Sequence, residues 1–299
     1  MYISLIRKYN LSSILNENCN STRHQIVDKE IIKMIDTGVG KKGSFYKKVR
    51  MIETPWDLMS ISFDAVIYTN NYRGSKFDLN GKLSLINAYR GYDEELTERE
   101  LKKVHDDDLM TYILFGHSQE EFWMQQIYME VPNFNRNYRI LRIGLEDEKN
   151  IISDAFNSEF NITLNEYTNG ICTLFAWGSS SNDFSNGEII YNTYGRRFNS
   201  NIEVINKLIK YYSGDIEFYR NSRFGKNTFY LKPFIKIDDK NIILSGMYYL
   251  FKLLSFGAYW VVRNYYFKSK SQLFTNAFGE YYELYFKEVF LYYLNEKIA

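Results

Sequence analysis

The sequence has few of the residues that carry enzyme chemistry. Only three histidines occur in 299 residues, which leaves little material for histidine-based acid–base catalysis or zinc binding. The two cysteines, Cys19 and Cys172, lie far apart without metal-ligand spacing, so we expect reduced thiols and a cytoplasmic protein. The sequence contains no G-x-S-x-G elbow, no H-E-x-x-H and no Walker loop. The sequence therefore shows no complete catalytic set from which a reaction could be inferred.

The net charge is only +1, since the sequence has 37 basic and 36 acidic residues. This balance excludes a strongly basic nucleic-acid coat but permits a local basic face. The N-terminus lacks the long apolar run of a signal peptide. The apolar stretch 242–262 approaches membrane-spanning length, but Lys252 lies in its middle, where a cation costs about 2.5–3.5 kcal/mol. We therefore predict a buried helix there and no membrane partner.

Aromatic residues, by contrast, are abundant, with 27 Tyr and 22 Phe. Helical periodicity from 81 to 177 and from 247 to 297 predicts a mainly α protein with a small β portion, an α+β fold. We expect a helical bundle-like body that ends in a C-terminal pair of aromatic helices. A Gly- and Ser-rich stretch at 178–187 predicts a linker between two domains, which cover 1–178 and 188–299.

The β portion is expected in two places. The stretch 61–68 has some alternation and β-branched residues, which predicts a strand in the first domain. In the second domain, 215–219 and 228–231 are predicted to be strands, and Pro233-Phe234-Ile235 is expected to be a further strand that precedes a polar turn at 238–240. Pro132 is expected to break the helical region that precedes it.

Two basic stretches are candidate phosphate contacts. The first is the loop 41–50, and the second is the turn 220–226. The first overlaps a G-x-G-x-x-G match at 38–43, which is too short a motif to indicate a nucleotide site by itself. Cations spaced along a loop can contact successive phosphates, and the interleaved Phe45 and Tyr46 can stack on bases. The alternative for both stretches is a solvated hairpin, which we favour. The candidate nucleic-acid-binding residues are Lys41, Lys42, Lys47, Lys48, Arg50, Arg220, Arg223 and Lys226.

Two groups of residues resemble metal ligands at first sight. Asp106, Asp107 and Asp108 follow His105, but consecutive carboxylates at a helix start are explained more simply by capping and by the helix dipole. His117 and Glu121 are four residues apart, but Ser118 is the better cap and leaves His117 outside the helix. We therefore predict no metal ligands and no cofactor.

The last helix carries the one family resemblance in the chain. Gly279, Tyr282, Glu283 and Tyr285, preceded by the strand and turn of 233–240, resemble the entrance helix of PD-(D/E)XK restriction-endonuclease-like nucleases of bacterial defence systems. The resemblance covers residues 232–297. It implies that Glu283 is an accessory residue beside a metal site, because the Asp and the Glu-x-Lys of the family have no counterpart in this sequence. Mg²⁺ is expected only if a following segment or a partner completes that site.

Two functions remain open on the sequence alone. In the first, the chain is the non-catalytic recognition part of a nucleic-acid-linked defence or restriction protein, with DNA or RNA backbone and a nuclease-bearing protein as partners. If it were an enzyme, the resemblance implies a metal-dependent nuclease. In the second, the chain is a non-enzymatic helical scaffold that binds another protein through aromatic surface. Either function is compatible with an oligomer.

The first function leads to a prediction about the 41–50 loop. Phosphate contacts carry no sequence information, so binding through this loop should be non-specific and should weaken strongly with salt. Replacing Lys41, Lys42, Lys47 and Lys48 with Ala should lower the slope of log affinity against log salt by up to about 0.9 per lost duplex contact. A salt titration of DNA binding measures this slope. An unchanged slope in the quadruple variant, or no binding at low salt, would support the solvated hairpin.

Overall fold

The structure, a computed structural model, describes residues 2–18, 55–69, 75–77, 79–102, 130–180, 185–223 and 228–298. It confirms a mainly α fold with a small β portion. The elements of the described residues run in chain order as α1 (Tyr2–Ile6), α2 (11–18), α3 (Pro55–Tyr68), α4 (Leu79–Leu101), α5 (Glu130–Leu145), α6 (Ile151–Phe160), α7 (Leu164–Ser180), α8 (Gly187–Tyr194), a 3₁₀ turn (Gly195–Phe198), α9 (Ile202–Tyr212), β1 (Ser213–Gly214), α10 (Ile216–Arg220), α11 (Thr228–Leu231), β2 (Phe234–Lys236), β3 (Ile242–Leu244), α12 (Met247–Phe267) and α13 (Ser271–Ile298).

These elements belong to two compact units, each assembled from several stretches of chain. The first unit takes its described residues from Met1–Ile127, Gly178–Asn186 and Tyr211–Leu250. The second takes them from Tyr128–Trp177, Gly187–Lys210 and Phe251–Ala299. The sequence predicted a division near 178–188 into consecutive domains. In the structure the chain instead passes between the units more than once.

The core of the first unit is built from α1 to α4 together with aromatic side chains near the sheet. Tyr219, Phe229 and Tyr249 lie against one another, with ring centroids 5.3 and 5.4 Å apart. All three are fully or almost fully buried. Such inclined ring pairs add about 0.5–1.5 kcal/mol each beyond the area they bury. Part of the aromatic content of the sequence therefore lies in the core.

A three-stranded sheet lies in the first unit, in the order β1-β2-β3. β1 is parallel to β2, and β2 is antiparallel to β3 with Ile235 opposite Ile243. In the turn between β2 and β3, Asp238 Oδ1 accepts from the backbone N–H groups of Lys240 and Asn241, each at 2.8 Å. The predicted strand at 234–235 and the predicted turn at 238–240 are thus found in the structure.

The second unit is helical. α13 packs along α5, and α6 packs on α5 as well. Buried residues of α12 and α13, among them Val262, Phe274 and Phe278, supply apolar side chains to its core. The start of α7 is fixed by a capping box, in which the Thr163 N–H donates to Glu166 Oε2 at 2.8 Å and the Glu166 N–H donates to Thr163 Oγ1 at 3.2 Å.

The predicted strand at 61–68 is wrong, because these residues form the C-terminal part of α3. The helix begins at Pro55, a residue whose fixed φ suits the first helical position. Its buried apolar residues, Leu58, Ile61 and Ala65, recur at three- and four-residue steps. That spacing lines one face of a helix, whereas a half-buried strand would bury every second residue.

Two further predicted strands are also helices. At 215–219, Asp215 is an N-cap whose Oδ1 accepts from the Phe218 N–H at 2.7 Å, and α10 follows it. Residues 228–231 form the short helix α11. The helical region that was expected to end at Pro132 lies largely outside the described residues, so that break stays a prediction. Pro132 itself lies within α5.

The predicted linker begins inside a helix. α7 extends to Ser180, and a Cβ placed on Gly178 would lie 2.2 Å from Leu250 Cδ1. Gly178 therefore permits close packing and does not mark a flexible connection. Further along, Ser185 pairs with Ile242 through two backbone hydrogen bonds of 3.1 and 2.9 Å.

Gly170, in the middle of α7, gives a stability prediction. A Cβ there would lie 2.4 Å from Leu208 Cδ1 and 2.9 Å from Val204 Cγ1, and both side chains are buried. We expect Gly170→Ala to lower the free energy of unfolding by about 1–3 kcal/mol through overpacking. Urea unfolding followed by circular dichroism measures the change.

Gly91 of α4 is the matched control, since no atom lies within 4 Å of the Cβ that Ala would add. Gly91→Ala should raise the free energy of unfolding by up to about 1 kcal/mol, because Ala favours the helix. Equal effects of the two substitutions would contradict the packing described for Gly170.

Candidate functional site

The last helix, α13, is held to the second unit by its first half. Phe274, Ala277, Phe278 and Tyr281 are all buried. Tyr281 crosses α5 at Gly144, where an added Cβ would lie 2.6 Å from the Tyr281 ring. Only a residue without a side chain permits this contact. The predicted apolar stripe of the helix is therefore core as far as Tyr281.

A hydrogen bond completes this attachment. The Tyr281 hydroxyl donates to Asp147 Oδ2 at 2.5 Å. Burial and this hydrogen bond raise the pKa of Tyr281, and the same hydrogen bond holds the pKa of Asp147 below its usual range. A phenol whose pKa is raised stays protonated near neutral pH, so Tyr281 is a donor and not a general base.

Two ion pairs lie along the same side of α13. Lys149 pairs with Glu280, and Arg139 Nε lies 3.0 Å from Glu288 Oε2. The order of these contacts, with Gly144 near Tyr281 and Arg139 near Glu288, shows that α13 runs antiparallel to α5. Both pairs are largely exposed, so solvent screens them and neither contributes much to stability. The two ion pairs contribute more to the orientation of α13 than to its stability.

Beyond Tyr281 the helix stays apolar but loses its cover. Phe286 is 62% exposed, Phe290 is 65% exposed and Tyr293 is 59% exposed. At 100° per residue, Phe290 projects from the side opposite Tyr281. We define the outer face of α13 as these three residues together with Leu294, an exposed neighbour on the same side of the helix.

Gly279 lies on the same side of the helix, seven residues before Phe286. Among the described residues, no atom lies within 4 Å of the position that a Cβ would take there. The glycine therefore leaves an open notch at the start of the outer face.

Glu283, the residue that the nuclease resemblance singles out, is exposed on this surface. Among the described residues no group of three or more His, Cys, Asp or Glu side chains is placed to hold a metal ion. The resemblance to PD-(D/E)XK nucleases, and with it the accessory role of Glu283, therefore stays a prediction.

The predicted phosphate-binding residues have different positions. Lys41, Lys42, Lys47, Lys48, Arg50 and Lys226 lie outside the described residues, as do His105, Asp106–Asp108, His117 and Glu121. Arg223 is exposed. Arg220 is used within the first unit, where its Nε donates to the Ile67 carbonyl at 3.1 Å and its Nη2 donates to the Thr69 carbonyl at 3.3 Å. It thereby caps the end of α3, where a cation is favoured.

Tyr2 belongs to a polar cluster in the first unit that the sequence did not indicate. Its hydroxyl donates to Asp64 Oδ2 at 2.8 Å, and its ring stacks on Tyr92 with centroids 5.3 Å apart. Burial raises the pKa of Tyr2, and burial also raises the pKa of Tyr89 beside it. These phenols stay protonated and suit hydrogen-bond donation, not proton abstraction. Tyr2 lies more than 60 positions before the other three residues, so no local motif reveals the cluster.

A shallow pocket of about 290 Å³, open to solvent, lies in the second unit between Tyr138, Tyr167 and Leu254. Its polar lining residues already have partners. Asn137 donates to the Ser255 carbonyl at 2.8 Å, and the Tyr138 hydroxyl donates to Asn165 Oδ1 at 3.0 Å. Nothing in the pocket therefore points to a ligand.

α12 adds a second set of exposed rings to this unit. The Arg263 guanidinium lies 4.0 Å from the Phe267 ring centroid and 5.0 Å from that of Trp260, and both rings are about half exposed. The cation covers the ring faces and shields them from other partners. The outer face of α13 has no such cover in the described residues, so it is the better candidate for an interaction site.

The chain matches no protein-family model, no curated protein and no solved structure. Among the helices of the described residues, none has the length and apolar character needed to cross a membrane.

The attachment of α13 leads to a pH-dependent prediction. Tyr281→Phe removes the hydrogen bond to Asp147 and should lower the free energy of unfolding at pH 7 by about 0.5–1.5 kcal/mol, reduced by the exposure of the carboxylate. Because the pKa of Asp147 is lowered by folding, this contribution is present above about pH 4 and is lost as the pH falls below it. Denaturation at pH 7 and pH 3 measures both values.

Tyr282→Phe is the matched control, because the neighbouring Tyr282 hydroxyl forms no such bond to a carboxylate in the described residues. We expect its free energy of unfolding to change by less than about 0.5 kcal/mol. A Tyr281→Phe deficit that is equally large at pH 3 would show that the hydrogen bond is not its source.

Proposed function

We propose that the chain is a non-enzymatic helical scaffold that binds another protein chain through the outer face of α13. The carrying observation is that α13 stays rich in aromatic side chains beyond Tyr281, although Phe286, Phe290 and Tyr293 are each more than half exposed. Aromatic side chains of this size are ordinarily buried to a large extent. Binding of a partner removes the exposed rings from water, which is the main favourable term in protein association.

The size of the surface supports this proposal. An aromatic side chain presents about 150–250 Å², so the exposed fractions of Phe286, Phe290 and Tyr293 correspond to roughly 300–450 Å². The largest apolar patch on a typical monomer is about 300–600 Å² and is often functional. Leu294, which is 40% exposed on the same side, adds to the area. Phe and Tyr are also enriched in the cores of protein interfaces.

The charges around the outer face favour a protein over a nucleic acid. Glu280 and Glu288 are paired with Lys149 and Arg139, and Lys287 balances Glu283, so this stretch of helix carries no excess of positive charge to attract phosphates. The nucleic-acid-linked defence role implied by the nuclease resemblance stays a second prediction. The basic loop 41–50, on which this second prediction mainly rests, lies outside the described residues. The salt titration of DNA binding therefore tests it.

A photo-crosslinking experiment in cells of the organism that encodes the chain tests the proposal. A photoreactive residue at position 290 should capture a defined protein when the chain is present at its native level. The same residue at Lys210, an exposed polar position in α9, is the matched control. Equal products at the two positions, or none at either, would contradict a binding role for the outer face.

A further inference from the structure

We infer that the partner of the outer face is a second copy of this chain, bound through antiparallel pairing of the two α13 helices. This inference rests on the proposed function and names its partner. It follows from the spacing, the charges and the side-chain sizes along α13.

The spacing on the outer face is that of a helix–helix seam. Gly279, Phe286, Phe290 and Tyr293 follow one another at steps of seven, four and three residues. A 3-4 alternation keeps side chains on one line facing a neighbouring helix. The line lies on the side opposite Tyr281, so packing of α13 within the second unit leaves it open. The surface is thus shaped for another helix.

The charges beside the seam select the direction of pairing. Glu283 and Lys287 lie on the same flank, both are exposed, and neither forms an ion pair with a described residue. A parallel pair would place Glu283 opposite Glu283 and Lys287 opposite Lys287. An antiparallel pair with its two-fold axis at Phe286 instead places Glu283 of each copy within about 3 Å, along the helix axis, of Lys287 of the other. Two reciprocal ion pairs form, and like charges are separated.

Side-chain sizes agree with the same register. With the two-fold axis at Phe286, residue 279 of one copy lies opposite residue 293 of the other, because 279 and 293 are each seven positions from 286. The bulky Tyr293 then enters the open notch at Gly279. The two Phe286 rings meet at the axis, where ring pairs contribute about 0.5–1.5 kcal/mol beyond their area. The two-fold arrangement uses the same patch on both copies.

The buried area suits a reversible dimer. Roughly 300–450 Å² of aromatic surface from each copy, with Leu294 beside it, stays below the lower limit of about 1,200 Å² total for stable specific interfaces, in the range of transient ones. A second copy thus covers the exposed rings of both chains at once. The dimer should dissociate on dilution.

Charge exchange tests the pairing in solution. Sedimentation equilibrium of the full chain should show a monomer–dimer equilibrium. Glu283→Lys and Lys287→Glu should each raise the dimer Kd about 2- to 30-fold at low salt, since each abolishes two exposed ion pairs of about 0.2–1 kcal/mol. The double variant Glu283→Lys with Lys287→Glu should restore the original Kd. Unchanged circular dichroism melts of the monomers verify that the fold is retained.

Cysteine crosslinking tests the register. In a Cys19→Ser, Cys172→Ala background, Phe286→Cys should oxidise to a covalent dimer. Phe290→Cys should not, because the two copies of residue 290 lie about 12 Å apart along the helix axis, beyond the reach of a disulfide. Crosslinking at 290 but not at 286, or a double charge variant that dimerises no better than the single ones, would overturn this register.

A chain that stays monomeric at every concentration would overturn the dimer itself. If position 290 then still captured a different protein in cells, the proposed function would stand and only the identity of the partner would be wrong. If position 290 captured nothing, the two proposals would fail together. A product of twice the chain mass at position 290 in cells would support the dimer.

Discussion

Packing of Tyr281 against Gly144 determines how the last helix is presented. The ring fills the space that a side chain at residue 144 would occupy, and its hydroxyl bonds to Asp147. Together these contacts set one side of α13 toward α5. Because side chains repeat every 3.6 residues, the side that carries Phe286 and Phe290 must then point away. The exposed face is a geometric consequence of this one contact.

Exposure of that face has an energetic cost that a partner relieves. Apolar surface removed from water contributes about 25 cal/mol per Å², so several hundred Å² correspond to several kcal/mol of driving force before the losses of association. The alternative use of surface aromatics is visible on α12, where Arg263 lies over Trp260 and Phe267. α13 lacks such a covering cation in the described residues. Its aromatic residues are therefore free to supply binding energy.

Most of the helical architecture was predictable, because long periodic segments such as α12 and α13 carry a strong signal. The errors fall on short apolar stretches. At 61–68 the β-branched residues suggested a strand. The buried positions of α3 have helical spacing, however, and Pro55 suits the first turn of a helix. At 215–219 the N-cap Asp215 was the signal that could have identified α10. Short apolar stretches fit both periods, so tertiary packing decides between them.

The candidate site was predictable only in part. The sequence indicates that α13 is an aromatic helix. Which half of it finds cover depends on α5, and the Tyr281–Asp147 contact between them joins residues 134 positions apart. No local pattern records that the cover ends after Tyr281 or that no described atom packs against Gly279. The open notch and the exposed rings are properties of the fold.

Hydroxyl-radical footprinting tests most directly whether the outer face of α13 is an interface. Oxidation of Phe286, Phe290 and Tyr293 would be compared between dilute and concentrated protein, with Phe218, an exposed ring of the first unit, as the internal reference. The account predicts that the three α13 rings become protected at high concentration while Phe218 does not. Equal oxidation of all four rings at both concentrations would contradict self-pairing. Equal oxidation in native cell extract as well would contradict an interface of any kind.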